Sequence, residues 1–271
     1  MADQRTTLRS VQKESQIDLS DNAAKRPRAL PKGKALRKAA KDQRKRIEKL
    51  QDVFYADARF ALLVVLQGRD ASGKDGTVKH VFRSVNPMGC EVTSFKQPTD
   101  EERNHDFLWR IEKRVPAKQM IGIFNRSHYE DVIVPRVHNE ISDDQLRRRY
   151  DEINDFEQNL ADNSTIILKF FLHISRDEQK KRLIERVNNP RKNWKFRTGD
   201  LDDRALWEEY TAAYHDMIAN CSTRWARWQI VPADDEDARN LLVARAIADT
   251  LDRLKLRYPR VDPKFKKLKI E

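Results

Sequence analysis

Apolar and polar residues follow two different patterns along the chain. Short, almost continuous apolar runs predict five buried strands: Phe60–Gln67, Glu91–Phe95, Met120–Phe124, Thr165–Ile174 and Trp228–Val231. Longer segments between them have helical spacing and predict the helices Lys74–Val85, Glu101–Arg114, Asp143–Ala161, Asp177–Val187, Asp203–Cys221 and Glu236–Arg257. Strands that alternate with helices indicate an α/β fold, with a parallel five-stranded sheet covered by helices on both faces.

The two ends of the chain lack this alternation. The first thirty residues are polar and unpatterned, so we expect residues 1–31 to be a flexible basic segment. A basic helix is predicted between Pro31 and Ala58, as an extension before the first strand. Residues 32–258 then form the main domain, and residues 259–271 are predicted to be a basic tail. Two helix starts have capping-box spacing, Thr99 with Glu102 and Ser175 with Glu178.

Composition narrows the class of protein. With 39% hydrophobic and 36% charged residues in 271, the chain is too apolar to be wholly disordered and too charged for a membrane protein. Its longest aliphatic run, Ala61–Leu66, is far below the roughly 20 residues of a membrane span, and no apolar leader begins the sequence. We therefore expect a cytoplasmic protein without a membrane partner. Cys90 and Cys221 are too few for a disulfide scaffold or a cysteine-built zinc site.

The net charge of +11 is unevenly distributed. Residues 1–50, 176–197 and 252–271 carry +9, +6 and +5, whereas the rest of the chain carries −9. A uniformly basic surface for duplex nucleic acid is therefore not expected, and no recognition helix or zinc signature accompanies the charge. The two terminal clusters are as compatible with solvated tails as with a binding surface. The internal cluster suggests an anionic partner.

The first strand leads into a glycine-rich loop and then a helix. The segment Gly68-Arg69-Asp70-Ala71-Ser72-Gly73-Lys74-Asp75-Gly76-Thr77 has the spacing of a phosphate-binding loop. Its backbone N–H groups and the helix start attract phosphate, and Lys74 adds a point charge. The alternative is a glycine-rich turn with an exposed lysine.

Two carboxylates make this loop unusual. Asp75 replaces the Ser or Thr that ordinarily follows the lysine and binds Mg²⁺. Asp70 lies inside the loop, where a carboxylate among phosphates is repulsive unless a divalent cation lies between them. We therefore expect Asp70 to hold Mg²⁺ (or Mn²⁺) or its waters. The alternative is that Asp70 only accepts hydrogen bonds from loop amides.

The third strand is followed by the polar segment Asn125-Arg126-Ser127-His128-Tyr129-Glu130. Polar groups at the carboxyl edge of a parallel sheet face the ligand crevice, and the planar fork of Arg126 suits phosphate. His128 and Glu130 are only two positions apart, which is weak support for a zinc pair. We interpret His128 as a hydrogen-bonded structural histidine.

The internal basic cluster begins on a helix and is interrupted at Pro190. Arg182 and Arg186 are four residues apart and share one helical face, and Arg191, Lys192 and Lys195 surround Trp194. A basic lid over about residues 182–200 would supply charge to phosphates and exclude water. The alternative is a solvated helix end.

These three segments together resemble the polyphosphate kinase 2 family, over about Lys32 to Tyr258. The matching motifs are Gly68-x-Asp70-x-x-Gly73-Lys74-Asp75-Gly76, Asn125-Arg126-Ser127-His128-Tyr129-Glu130-Asp131-Val132 and Arg182-x-x-x-Arg186-x-x-x-Pro190-x-Lys192-x-Trp194-Lys195. The resemblance implies a P-loop kinase fold similar to thymidylate kinase, with a helical lid. It also implies phosphoryl transfer between inorganic polyphosphate and nucleotides with Mg²⁺. Asn125, His128 and Glu130 make the chain look like the class III branch, which accepts AMP and ADP.

The loop and the resemblance together assign the candidate site residues. The catalytic group is Asp70, Lys74, Arg126 and Glu130. The phosphate- and nucleotide-binding group is Gly68, Arg69, Ala71, Ser72, Gly73, Asp75, Gly76, Thr77, Asn125 and Tyr129. The lid group expected to hold polyphosphate is Arg182, Arg186, Lys192 and Lys195, and the resemblance also implies a homo-oligomer, either a dimer or a tetramer.

Three functions remain open at the level of the sequence. The first is transfer of the terminal phosphoryl group of polyphosphate to AMP or ADP, reversibly, to form ADP and ATP. The second is an ATP-dependent nucleoside monophosphate kinase, against which Asp75 and the extended basic segments argue. The third is a polyanion-binding module without catalysis, suggested by the basic termini.

Overall fold

The computed structural model describes residues 7–264. The strands are β1 (Ala61–Gln67), β2 (Cys90–Ser94), β3 (Ile121–Asn125), β4 (Thr165–His173) and β5 (Trp228–Pro232). They form one parallel sheet in the order β2-β3-β1-β4-β5. The predicted α/β fold with five parallel strands is confirmed, and each strand boundary lies within one residue of its prediction.

Helices cover both faces of the sheet. Those of eight or more residues are α1 (Gly33–Asp57), α2 (Lys74–Val81), α5 (Glu130–Val137), α6 (Asp143–Asp162), α7 (Arg176–Asn188), α9 (Trp207–Cys221) and α10 (Glu236–Arg253). Shorter helices are α3 (Asp100–Arg103), α4 (Trp109–Glu112) and α8 (Gly199–Ala205). Within residues 7–264, no helix is at once apolar and long enough to cross a membrane.

Alternate residues of β1 divide the core in two. Leu62, Val64 and Leu66 pack with α1 and α10 on one face. Leu63 and Val65 pack with α5, α6 and α9 on the other. All seven residues of β1 are buried, because a parallel strand in the middle of a covered sheet has no solvated face. β1 therefore delivers the phosphate loop rigidly to the carboxyl edge of the sheet.

Two predicted helices are divided in the structure. The prediction of one helix over Glu101–Arg114 is wrong, because Asp106 accepts hydrogen bonds from the N–H groups of Leu108 and Trp109 and starts a new helical turn there. Similarly, Leu206 leaves helical geometry between α8 and α9. Helix α5 was not predicted, since it contains Pro135 and a run of β-branched residues.

The capping-box predictions hold to different degrees. At Thr99 both hydrogen bonds of the box form. The Thr99 hydroxyl accepts from the N–H of Glu102 at 3.2 Å, and the N–H of Thr99 donates to the Glu102 carboxylate at 2.8 Å. Ser175 accepts from the N–H of Glu178 at 3.3 Å, which caps α7. The Glu178 carboxylate instead pairs with Lys181 and Arg182, so only half of that box forms.

The N-terminal segment differs from the flexible segment that the sequence predicts. Val11, Ala24 and Leu30 are buried, and the N–H of Val11 donates to the carbonyl of Trp228 at 2.8 Å beside β5. Ser10 forms an antiparallel bridge with Gln229. Val11 packs in one half of the core and Leu30 in the other, and this irregular spacing explains why no periodicity reveals them. The predicted C-terminal tail lies partly outside the described residues, which end at 264.

Candidate active site

The phosphate loop bends sharply at the end of β1. Gly68 has φ +147° and Gly73 has φ +99°, conformations that side chains strongly disfavour. A Cβ on Gly68 would lie 2.6 Å from the carbonyl oxygen of Leu172, and one on Gly73 would collide with the guanidinium of Arg239. Glycine is therefore required at both positions, as the sequence pattern predicts.

Lys74 begins α2 and turns its side chain back into the loop. Its Nζ donates to the carbonyl of Gly68 at 2.6 Å and to that of Arg69 at 3.2 Å. Burial lowers the pKa of Lys74, and the neighbouring Arg126 lowers it further, against the opposing effects of Asp70 and Glu130. The structure thus brings the ammonium group and the loop backbone together where phosphates would bind.

Asp70 and Arg126 face each other across the site. An Nη of Arg126 donates to Oδ1 of Asp70 at 2.8 Å. Burial opposes ionisation of Asp70, but Lys74 and Arg126 outweigh it, so the pKa of Asp70 lies below its ordinary value. The carboxylate is therefore charged at neutral pH and is held between two cations.

Glu130 completes this cluster from the first turn of α5. It lies 3.7 Å from Arg126, and its Oε1 accepts from the Gln67 amide at 3.0 Å when the amide nitrogen is turned toward it. Burial raises the pKa of Glu130, although Arg126 and Lys74 act in the opposite direction. Arg126 itself has φ +63°, an unusual conformation outside glycine that aims its side chain back over the loop.

Asp75 connects the phosphate loop to β3 and to the lid. Its Oδ1 accepts from the Asn125 amide at 2.8 Å, and its Oδ2 accepts from Lys195 at 2.9 Å. Burial opposes ionisation, but Lys195 and Asn125 lower the pKa of Asp75. Asp70 and Asp75 thus supply two charged carboxylates beside the loop. This donor set fits Mg²⁺, which is usually held by one or two carboxylates together with substrate phosphates.

The lid predicted over about residues 182–200 contains most of α7, a short 3₁₀ turn at Asn193–Lys195 and the start of α8. Arg186 reaches Asp200 at 3.2 Å, and its charge also helps to lower the pKa of Asp70. Lys192 pairs with Glu185 at 2.6 Å on the exposed side of the lid. Arg186 and Lys195 are therefore oriented to the site, whereas Lys192 is turned away from it.

The comparison with known sequences agrees with this geometry. The protein-family model described as Polyphosphate kinase 2 (PPK2) matches residues 31–259. This chain belongs to the polyphosphate kinase 2 family.

Relatives within the polyphosphate kinase 2 family cover most of the chain. The AMP/ADP-polyphosphate phosphotransferase of Meiothermus ruber is 50% identical over 227 residues, which are 84% of this chain and 85% of that protein. The ADP-polyphosphate phosphotransferase of Rhodopseudomonas palustris is 42% identical over 83% of this chain and 82% of its own length. The crystal structure of polyphosphate kinase 2 from Arthrobacter aurescens TC1 has a TM-score of 0.84 and 39% identity, covering 94% of this chain and 95% of that one.

Three side chains assigned to the polyphosphate kinase 2 site lie elsewhere. The guanidinium of Arg69 stacks 3.9 Å from the ring centroid of Trp207 and donates to its carbonyl, so only the backbone of Arg69 faces the loop. Arg182 donates to the carbonyls of Ala71, Ala233 and Asp234 at 2.8 to 3.0 Å. Its charge is therefore used to support the loop from behind.

Tyr129 is the third displaced side chain. It is fully buried, and its hydroxyl donates to Glu157 at 2.8 Å and accepts from Lys169 at 2.6 Å. His128 lies in the same network at 3.3 Å from Glu157, which confirms its interpretation as a structural histidine. The segment that carries Arg126 and Glu130 is thus held by buried contacts on one face of the sheet, and the Tyr129 side chain does not lie in the ligand crevice.

The remaining loop residues support the shape of the site. Thr77 donates through both its N–H and its hydroxyl to the carbonyl of Gly73, and Gly76 lies against Arg239. The hydroxyl of Ser72 is buried and has no hydrogen-bond partner within residues 7–264, so it is free to donate to a ligand in the loop. The left-handed Ala71, φ +62°, completes the curve.

Sequence reasoning missed Lys169, Glu157 and Arg239. Lys169 donates to Glu157 at 2.5 Å, and both are fully buried beside the Arg126 segment. Arg239 donates to the carbonyl of Ser72 at 3.2 Å, and burial lowers its pKa to about 10. Each of these three charged residues lies on an otherwise apolar face of its strand or helix. A charged residue in such a position is the sequence signal that would have revealed it.

Proposed function

We propose that this chain transfers the terminal phosphoryl group of inorganic polyphosphate to AMP and to ADP, reversibly. The observation that carries the proposal is the cluster of Lys74, Asp70, Arg126 and Glu130 at the carboxyl edge of β1 and β3. The relative from Meiothermus ruber, which is named for both acceptors, supports AMP and ADP as substrates. The chain also keeps Glu130 in the cluster that would meet the acceptor.

In the reaction, the bond between the terminal phosphorus and its bridging oxygen breaks, and an oxygen of the AMP or ADP phosphate forms the new bond. Lys74 and the loop N–H groups bind the phosphates near the reacting centre. Arg126 and Arg186 lie where charge on the transferring group would develop, and such loose transition states depend mainly on positioning and electrostatic stabilisation. The shortened polyphosphate is the leaving group.

Asp70 is the residue that would hold Mg²⁺, or Mn²⁺ in its place, with Asp75 as the second carboxylate. Such an ion, when bound, neutralises phosphate charge. The chain's own contribution is to keep Asp70 ionised by means of Lys74 and Arg126. Arg186 pairs with Asp200 within the lid, and Lys195 connects the lid to Asp75 of the loop, which would limit water at the site.

The donor separates this proposal from an ATP-dependent nucleoside monophosphate kinase. The protein should be incubated with AMP and Mg²⁺, with either polyphosphate or ATP as the sole donor, and the nucleotides separated by chromatography. We expect ADP and then ATP from polyphosphate. Turnover of AMP with ATP but not with polyphosphate would overturn the proposal.

Lys74→Ala tests the cluster directly. Removing the ammonium that meets the loop phosphates should lower kcat by about 10² to 10³ or more, with the fold intact by circular dichroism. Lys79→Ala, which changes an exposed lysine later in α2, is the matched control and should retain its activity. Near-normal turnover of Lys74→Ala would contradict the assignment. Asp70→Ala should show a similar loss.

We also propose that the protein acts in the cytoplasm as a homo-oligomer, either a dimer or a tetramer, and that residues 32–258 form its kinase domain. The match to residues 31–259 supports the domain limits. The oligomer is supported by the family resemblance and by the edge strand β2, where Val92 is exposed, as is Met88 just before the strand. Sedimentation velocity tests it, and a monomer at micromolar concentration would contradict it.

A further inference from the structure

Helix α1 carries a row of five lysines on one side. Lys34, Lys38, Lys41, Lys45 and Lys49 are spaced by three or four residues, so they lie within one narrow arc of the helix. All five are exposed, and the residues that α1 buries, including Leu36, Ile47 and Phe54, lie on the opposite side. At 1.5 Å per residue this lysine stripe is roughly 22 Å long.

Little neutralises the lysine stripe. Lys38 pairs with Asp42 at 3.1 Å, and no carboxylate within residues 7–264 pairs with the other four lysines. The acidic neighbours Asp42, Glu48 and Asp52 all lie in the second half of the row or beyond it, so residues 32–41 contain five basic side chains and no acidic one. The charge excess is therefore greatest at the start of α1.

This placement is unfavourable for the helix itself. The start of a helix has a partial positive charge and is stabilised by acidic residues, yet the first turn of α1 has none and contains Lys34. In contrast, α6, α7 and α10 each have two acidic residues in their first turn. The stability of α1 therefore does not explain the position of Lys34, whereas binding of a polyanion explains the whole row.

The start of the lysine stripe lies on the same edge of the sheet as the phosphate loop. Because α1 ends just before the start of β1, it runs opposite to β1 and begins at the carboxyl edge. Arg37 pairs with Asp237 at 3.6 Å, which places the beginning of α1 beside the beginning of α10. Within the same turn of α10, Arg239 reaches the carbonyl of Ser72 in the loop.

The surface between the loop and the lysine stripe contains acidic residues that are largely neutralised. Asp235 and Asp237, at the start of α10, are paired with Arg26 at 3.5 Å and Arg37 at 3.6 Å. Glu236 is the exposed carboxylate that a polyanion would pass here. Both arginines come from the N-terminal basic region, and the two ion pairs reduce the repulsion that Asp235 and Asp237 would exert on a polyanion.

We propose that the lysine stripe binds the distal part of a long polyphosphate chain whose terminal phosphate lies in the phosphate loop. The inference rests on the proposed function for the identity of the donor. A linear chain with a charge on every unit matches a straight row of regularly spaced ammonium groups without any requirement for base or sequence recognition. The lysine stripe thus favours long donors over short ones and has no part in the chemical step.

The test replaces all five lysines with glutamine, which preserves helix propensity and removes the charge. The matched control replaces five other exposed basic residues, on the opposite face or at the amino edge, with glutamine: Lys113, Lys118, Arg147, Arg148 and Arg224. Both variants lose the same net charge. Initial rates with AMP are measured with long-chain polyphosphate and with tripolyphosphate, which is too short to span both sites.

We expect the KM of the stripe variant for long-chain polyphosphate to rise about tenfold or more at physiological salt, with kcat unchanged. Its KM for tripolyphosphate, and both values of the control variant, should stay within about twofold of wild type. The slope of log KM against log salt for the long chain should fall by about 3.5, as for a single-stranded polyanion that loses five contacts.

Other outcomes overturn the inference. An unchanged KM for the long chain shows that the lysine stripe does not bind it, and an equal rise for both donors shows a general field effect. Loss of single-stranded RNA binding with unchanged polyphosphate kinetics would assign the stripe to nucleic acid instead. If the wild type transfers from neither donor, the proposed function fails, and fluorescence anisotropy with labelled long-chain polyphosphate then tests the stripe independently.

Discussion

Arg126 and Glu130 lie 3.7 Å apart, and burial affects the two groups differently. The carboxylates Glu130 and Asp70 more than offset the burial of Arg126 and raise its pKa, so the guanidinium stays charged. For Glu130, burial outweighs the neighbouring cations and raises the pKa. Ionisation of Glu130 therefore costs stability of the folded state, within a site that must accept further negative charge from phosphates.

Glu130→Gln tests this cost through the pH dependence of stability. The unfolded carboxyl loses its proton around pH 4.5, while the folded one keeps it to higher pH. Between these two pKa values the folded state binds more protons, so its stability falls as pH rises. The free energy of unfolding of Glu130→Gln, measured with urea, should therefore increase relative to that of the wild type as pH rises above 4.5.

Exposed Glu140→Gln is the control for that experiment, and its difference from wild type should not change in the same way. A wild-type advantage over Glu130→Gln that grows with pH would contradict the argument. That result would mean that the ion pair with Arg126 outweighs the burial of the carboxylate.

At the scale of the elements, α7 supports the phosphate loop as well as the lid. Arg182 joins the loop carbonyl of Ala71 to the carbonyls of Ala233 and Asp234 after β5. The Arg182 side chain, which is 11% exposed, thus joins three segments distant in sequence. The loop is held in place from behind by the same helix that carries Arg186 toward the site.

Arg182→Ala should consequently lower the free energy of unfolding by about 2 to 4 kcal/mol, because several buried carbonyls lose a charged donor. Lys180→Ala, an exposed change on the same helix, should stay within about 0.5 kcal/mol of wild type. Urea unfolding measures both. Wild-type stability of Arg182→Ala, combined with a raised KM for polyphosphate, would instead show that Arg182 holds the substrate, as its motif predicts.

The ion pair between β4 and α6 has a similar supporting position. Lys169 and Glu157 are fully buried, and Tyr129 and His128 join them to the segment after β3. Lys169→Met should cost about 3 to 5 kcal/mol, since it leaves the buried carboxylate of Glu157 without the Lys169 cation. The double variant Glu157→Gln/Lys169→Met should recover at least half of that loss. Additive losses in urea unfolding would show that the two residues act independently.

For the whole molecule, the N-terminal segment is part of the folded domain rather than a free tail. It passes beside β5, and the carbonyl of Ser20 reaches His173 Nε2 at 2.9 Å at the end of β4. Asp21 accepts from the N–H of Arg176 at the start of α7 at 3.1 Å. Residues distant in sequence therefore cover the edge of the sheet on the side where the lid begins.

Val11→Asp tests whether this packing contributes to stability. A carboxylate buried against β5 without a partner should lower the free energy of unfolding by about 2 to 4 kcal/mol. Val261→Asp is the matched control, because Val261 is 65% exposed. Equal thermal stability of the two variants would show that the segment is as loosely held as the sequence alone suggests.

The sequence alone is sufficient for the sheet and for the cluster at its edge. β1 and β4 are predicted because six of seven and six of nine consecutive residues are apolar, a local property that needs no knowledge of neighbours. Gly68 and Gly73 are predicted because the backbone of a phosphate loop requires glycine there. Lys74 is predicted because the loop needs a positive charge for the phosphates. Asp70 and Arg126 meet because both follow parallel strands that are neighbours in the sheet.

Only the tertiary structure decided where the long polar side chains go. Arg182 and Tyr129 belong to motifs that point to phosphate, but their partners are carbonyls and carboxylates from segments far along the chain. The same holds for Val11, whose burial depends on a hollow beside β5. Hydrophobic periodicity and loop glycines record local backbone geometry, whereas the partner of a flexible side chain depends on which distant groups the fold brings within about 3 Å of it.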